Sequence, residues 1–180
     1  MQQHVKPPRE FDAIEMEVYS NRFMSITDEM GLSLVRSSFS TNIKERKDCS
    51  VGLFDGSGRL IVQASHIPVH LGSLQGGVAA VLENFKLEEI KPGDAFICND
   101  PYLAGGSHTP DISILTPVFY EGRLCFFAAN LGHHSDVGGG VPGSCDPSQT
   151  SIFAEGLRIP VLKIAREGVL DEQIVKLIST

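Results

Sequence analysis

Apolar positions along the chain fall into two periods, and each period predicts a kind of element. Between residues 14 and 39, Tyr19, Phe23, Ile26, Met30 and Leu34 recur at steps of three and four, the stripe of an amphipathic helix that packs on a core. Gly31 and the Ser37-Ser38 pair weaken that helix towards its end. Residues 49–54 and 60–64 are apolar runs joined by Asp55-Gly56-Ser57-Gly58, which predicts a first hairpin. A second helix is expected over residues 74–85, capped by Ser73, with Gly76-Gly77 allowing close backbone approach. Residues 95–98 read as a short buried strand running into Asn99-Asp100-Pro101-Tyr102, polar residues well placed to line a site. Residues 141–149 read as loop, with Ser148 or Thr150 as a cap; 159–165 predict a further strand and 171–178 a final helix.

The most informative stretch lies between Gly105 and Gly140. Residues 112–120 and 123–130 are rich in β-branched and aromatic residues and are joined by Glu121-Gly122, a two-residue hairpin loop. In a straight ladder Tyr120 faces Arg123, Asp111 faces Gly132 and Pro110 faces His133. Facing residues have Cβ atoms roughly 5 Å apart, so His108, Asp111 and His133 gather at the open end of the hairpin. Two imidazoles and a carboxylate within that reach can hold a divalent metal with positions left open, or can simply be polar loop residues. Pro117 cannot donate to a ladder and implies either an edge strand or a bulge that shifts the register by one.

Other polar residues extend this picture. Asp48 stands just before the first hairpin and is either a fourth ligand or the ion-pair partner of Lys44, Arg46 or Lys47. Pro68 between His66 and His70 favours an extended segment, from which one imidazole reaches the site or serves a structural hydrogen bond. Gly138-Gly139-Gly140 could admit a phosphate or form a flexible loop.

Composition sets limits. At 180 residues, 42% hydrophobic and 21% charged, the chain suits one folded domain, expected over residues 11–180 behind a flexible, His4-containing leader at 1–10. A net charge of −7 and the absence of a basic cluster with interleaved aromatics argue against nucleic acid as a partner. Cys49, Cys98, Cys125 and Cys145 are widely spaced, which indicates neither a disulfide framework nor a structural zinc site. No apolar run approaches ~20 residues, and the start has no signal-peptide pattern. The expectation is a cytoplasmic protein with reduced thiols and no membrane contact. Phosphate-binding and nucleophile-elbow motifs are missing, so any nucleotide binds elsewhere.

The motifs Asn42-Ile43-Lys44-Glu45-Arg46-x-Asp48, Gln63-Ala64-x-His66-Ile67-Pro68-Val69-His70-Leu71-Gly72-Ser73, Gly93-Asp94-x-Phe96-Ile97-x-Asn99-Asp100-Pro101-Tyr102, Gly106-x-His108-x-Pro110-Asp111-Ile112, His133-His134-x-Asp136-Val137-Gly138-Gly139 and Glu155-Gly156-Leu157-Arg158-Ile159-Pro160 resemble, in matching order, those of the hydantoinase B family. That family includes subunits of N-methylhydantoinase, 5-oxoprolinase and caprolactamase, and of acetone and acetophenone carboxylases. The resemblance implies a partner of the hydantoinase A type that uses ATP to phosphorylate a small cyclic amide, and a hetero-oligomer. It implies a manganese or zinc ion on His108, Asp111 and His133, with Asp48 as a further acidic position. His134 and Asp136 would stand behind the ligands, orienting one of them or handling a proton, and His70 or His134 would carry protons.

In the carboxylase branch the same pocket would hold a bicarbonate-derived species instead. Family subunits are longer, so the resemblance places these residues in the amino-terminal portion of such a subunit, whether truncated, a fragment or a natural short form. A non-haem iron oxygenase, which also uses two His and a carboxylate, and a non-catalytic assembly module are the readings from other classes. The expected architecture is α+β, mostly antiparallel hairpins covered by the amino-terminal helix and the 74–85 helix.

Overall fold

The computed structural model describes residues 11–64, 67–143 and 146–179. The expected leader, His66 and Cys145 lie outside the described residues. The elements are, in order, α1 (Ala13–Ser37), α2 (Thr41–Lys44), β1 (Cys49–Asp55), β2 (Leu60–Gln63), α3 (His70–Asn84), β3 (Ala95–Cys98), β4 (Asp111–Tyr120), β5 (Arg123–His133), β6 (Leu162–Arg166), β7 (Val169–Leu170) and α4 (Glu172–Ser179). The seven strands form one sheet in the order β2-β1-β5-β4-β3-β6-β7, and every pairing is antiparallel. The expected α+β architecture is thus the observed one. The 159–165 strand is displaced, because Ile159 is held in the preceding loop by Asn99 and pairing with β3 begins at Leu162.

The central hairpin determines the rest. Glu121 and Gly122 both have positive φ, 49° and 75°, the backbone that a two-residue turn needs to match strand twist. Tyr120 faces Arg123 and Phe119 faces Leu124, but Val118 faces Phe126, so Cys125 is an extra residue bulged out of β5. From there on the register is shifted by one: Asp111 faces His133, not Gly132. The straight ladder expected from the sequence is corrected by the bulge that Pro117 signalled. Pro117 itself pairs with Phe127 and lies beyond Leu115, the last β4 residue paired to β3.

Side chains alternate across this ladder. Leu115, Phe127, Ala129 and Leu131 share one face with Phe54 and Phe96, and α3 covers them with Leu74, Val78 and Val81. Burying three such side chains stabilises the fold by about 1.5–3 kcal/mol each. Gly76 lets α3 approach the 104–105 loop: a Cβ there would lie 2.8 Å from Gly105 Cα. The helix starts at His70 and runs through Ser73, which is buried inside it and is not its cap. On the other face, Ile97, Ile112 and Ile159 form a second cluster with Ile174 and Ile178 of α4.

Helix α1 also differs from its expected role. It is capped by Asp12, whose carboxylate accepts from Glu15 N at 2.8 Å, and it contacts β1 and β2. Of its stripe, Phe23, Met30 and Leu34 are half-buried, while Tyr19 and Ile26 remain 46% exposed; Thr27 and Gly31 are its buried residues. The β1–β2 edge, with Phe126 of β5 against Phe23, covers only part of a 25-residue helix.

Strand β6 is tied down by a buried ion pair. Lys163 Nζ lies 2.6 Å from Asp94 Oδ2, and the two residues are 7% and 1% exposed. Burial alone would raise the Asp94 pKa, but the Lys163 hydrogen bond and those from Lys91 N and Glu167 N hold it below the usual carboxylate range. Asp94→Asn is expected to lower unfolding stability by about 3–5 kcal/mol, since it strands a buried ammonium. Denaturant titration checks this, and a change below 1 kcal/mol contradicts it.

Candidate metal centre

Three elements deliver the centre to one end of the sheet, on the α3 face. Asp111 opens β4, His133 closes β5 directly opposite, and His108 sits one turn before Asp111, where Asp111 N donates to the His108 carbonyl at 3.2 Å. Asp111 Oδ1 lies 3.0 Å from His133 Nδ1 and 3.1 Å from His108 Nε2, and the two imidazole centroids are 5.1 Å apart. One ligand atom from each residue lies within 4.8 Å of the others. A cation bonded at about 2.1 Å keeps neighbouring ligand atoms roughly 3.0–3.4 Å apart, so the two separations from Asp111 Oδ1 and this donor set fit a first-row divalent ion.

Electrostatics favour the same arrangement. Asp111 is 2% exposed, and burial would raise its pKa, but hydrogen bonds from His108, Ser107 and His133 reverse this and hold it at about 2. Its carboxylate is therefore ionised at neutral pH. The His108 pKa is raised, first by its hydrogen bond to Asp111 and then, against burial, by the charges of Asp111, Glu155 and Asp48.

A second pair of residues stands beside this group. His70 begins α3, and its buried Nε2 is 3.6 Å from Asp111 Oδ2 and 3.8 Å from Asp48 Oδ1. Its other nitrogen, Nδ1, is 3.0 Å from Ser50 Oγ. Burial lowers the His70 pKa, with Asp111 and Asp48 opposing, so the ring is neutral at neutral pH. Asp48 is brought here by the β1–β5 pairing, and its carbonyl accepts from His133 N at 3.0 Å.

His134 and Asp136 are placed elsewhere. Because β5 alternates, His134 leaves the opposite face from His133 and lines a cavity of about 470 Å³ with Asp136, Asn99, Ile112 and Ile178. His134 Nδ1 is 3.0 Å from the Gly132 carbonyl, and Asp136 Oδ1 accepts from Gly138 N at 2.8 Å. The loop carrying Gly139 is compact: a Cβ on Gly139 would lie 2.5 Å from the Glu155 carbonyl.

A latch behind the centre is built from residues that the sequence pointed to only in part. Asn99 Nδ2 donates to the Thr109 carbonyl at 2.6 Å and the Leu157 carbonyl at 2.8 Å, while its Oδ1 accepts from Ile159 N at 2.6 Å. Asp100 accepts from Arg158 Nε at 2.8 Å, and Thr109 Oγ1 donates to the Glu155 carbonyl at 2.8 Å. The 155–159 segment is thereby fastened to the loop that carries His108. Ser50, Ser107, Thr109 and Glu155 were missed as site residues; the adjacency of Ser107 and Thr109 to His108 was the local signal.

Asn99 is 1% exposed with its carboxamide fully used. Replacing it by Asp removes both donors from two carbonyls, and Asn99→Asp is expected to cost roughly 3 kcal/mol. Equilibrium unfolding measures this, and a loss below 1 kcal/mol refutes the latch.

Known proteins share this arrangement of elements. The hydantoinase B/oxoprolinase family model matches residues 12–180. A 5-oxoprolinase from Arabidopsis thaliana is 45% identical over 169 residues, which are 93% of this chain and 13% of that protein. The crystal structure of ATP-dependent caprolactamase from Pseudomonas jessenii superposes with a TM-score of 0.82 at 36% identity, covering 96% of this chain and 29% of that one. Acetone carboxylase in its nucleotide-free structure also gives 0.82, at 21% identity over 91% of this chain and 21% of that one, and shares the fold. The chain spans about an eighth of the 5-oxoprolinase it matches and under a third of the caprolactamase chain. With its sheet, its His-Asp-His centre and the family match over nearly its whole length, the chain belongs to the hydantoinase B/oxoprolinase family.

Proposed function

We propose that this chain is the metal-holding part of an ATP-dependent cyclic amidohydrolase, working with a hydantoinase A type subunit in a cytoplasmic hetero-oligomer. The observation that carries the reading is the convergence of His108, Asp111 and His133 on one end of the sheet in a chain 45% identical to a 5-oxoprolinase. Similarity to ATP-dependent caprolactamase supports an amide ring as substrate. The carboxylase neighbour, at 21% identity, supports the fold alone.

His108, Asp111 and His133 would hold a manganese or zinc ion, with Asp48 beside them as a further acidic ligand. When bound, such a cation lowers the pKa of water towards ~7 and supplies hydroxide without a strong base. The partner would use ATP to phosphorylate the substrate's amide oxygen, which leaves the ring carbon open to attack. His70 is suited to move the proton, since its ring is neutral and Nε2 faces both Asp48 and Asp111. Ser50 fixes that ring through Nδ1. His134 and Asp136 act at one remove: His134 through the Gly132 carbonyl beside His133, and Asp136 by closing the turn to Gly138.

Elemental analysis of the purified chain is expected to show near-stoichiometric manganese or zinc in wild type and under a tenth of that in His133→Ala. Full metal content in the variant overturns the ligand set. With partner and ATP, turnover of a cyclic amide is expected to stop on chelation, and unchanged turnover overturns the metal-dependent reading.

A further inference from the structure

Glu155 carries a carboxylate oxygen that the fold leaves without a partner among the described residues. Its Oε2 is shielded from solvent and has no hydrogen-bond partner among the described residues. Ser40 Oγ and Gln63 Oε1 share that condition, but both belong to neutral groups. A carboxylate oxygen that is dry and without a donor lowers the stability of the fold, and unsatisfied charged groups mark places where something else completes the contact.

The backbone of Glu155 is fixed next to the metal centre. Its carbonyl receives Thr109 Oγ1 at 2.8 Å, its N–H donates to the Ile152 carbonyl at 3.0 Å, and Gly139 packs against it. Thr109 is itself fully buried, directly after His108 and two residues before Asp111. Glu155 is also among the charges that act on the His108 imidazole, after Asp111. It stands outside the three residues whose ligand atoms gather within 4.8 Å. A carboxylate whose charge reaches His108, which stands outside the ligand group and whose Oε2 has no donor among the described residues, is placed to receive a hydrogen bond from something the group holds.

We propose that Glu155 is a positioning residue of the centre, whose unpartnered oxygen accepts a hydrogen bond from a water held at a divalent cation on His108, Asp111 and His133. The proposal rests on the metal reading of that triad. An acceptor beyond the ligands orients the water and strengthens its hold, and loss of such a partner typically weakens metal affinity 10–100-fold. Gln can still accept a hydrogen bond but without the charge that about doubles its strength, so Glu155→Gln should fall between wild type and Glu155→Ala.

Calorimetric titration of manganese chloride into the purified metal-free chain, paired with thermal melting followed by circular dichroism, tests this. The manganese Kd is expected to rise at least tenfold in Glu155→Ala and several-fold in Glu155→Gln. The metal-free melting temperature should stay equal or rise in Glu155→Gln, since an amide oxygen left without a donor costs less than a carboxylate oxygen. A Kd within twofold of wild type in both variants overturns the role of Glu155 while leaving the metal reading intact. Weaker binding accompanied by an equally lowered metal-free melting temperature assigns Glu155 to structure and also overturns it. A wild-type chain that binds no manganese overturns the metal reading and this proposal together.

Discussion

One extra residue in β5 governs what this protein can do. Without the Cys125 bulge, Leu115 would share a face with Phe126, Ala128 and Asn130, and the core side of the sheet would carry an amide in place of Leu131. With it, Leu115, Phe127, Ala129 and Leu131 line up beneath α3, while Phe126 turns to the other side and meets Phe23 of α1 at a ring separation of 5.9 Å. Hydrophobic matching on both faces therefore selects the shifted register, since a slip by one moves every side chain to the opposite face. The consequence at the far end of the same ladder is chemical: Asp111 and His133 become direct neighbours on one face. Core packing and site assembly are the same constraint.

A buried carboxylate at that position has to be stabilised, and the surrounding hydrogen bonds show how. Desolvation works against ionised Asp111, and donors from His108, Ser107 and His133 outweigh it. The loop that supplies two of those donors is held by Asn99 and Thr109 to the 155–159 segment. The His108 loop and the 155–159 segment are pinned together by Asn99, whose carboxamide is fully used. That preorganisation suits a divalent ion, since both imidazole nitrogens already lie 3.0 and 3.1 Å from Asp111 Oδ1.

Much of this was legible in the sequence. The two periods located α1, α3 and both hairpins, and the family motifs singled out His108, Asp111 and His133 as candidate ligands. The register was not legible in full. Pro117 signalled an interruption, but its position and size are set by which of Phe126 and Phe127 is buried, a question of tertiary packing that a period-2 pattern leaves open. The separation of His133 from His134 follows from alternation once the register is known, and adjacency in sequence does not show it. Asp48 and His70 reach the site through β1–β5 pairing and the start of α3, both long-range events. Glu155 lies 44 positions beyond Asp111 in the chain and is brought beside His108 by the hydrogen bonds of Thr109 and Asn99 to the 155–159 segment. The open stripe of α1 was misread because helical periodicity reports amphipathicity, not the width of the surface beneath.

The account depends on a cation fitting between His108, Asp111 and His133. Crystals of the chain soaked in manganese chloride, with anomalous diffraction recorded at the manganese edge, test this directly. The account predicts one strong peak about 2.1 Å from His108 Nε2, Asp111 Oδ1 and His133 Nδ1. Ordered density with no anomalous peak there, or a peak bound only by other residues, would contradict it.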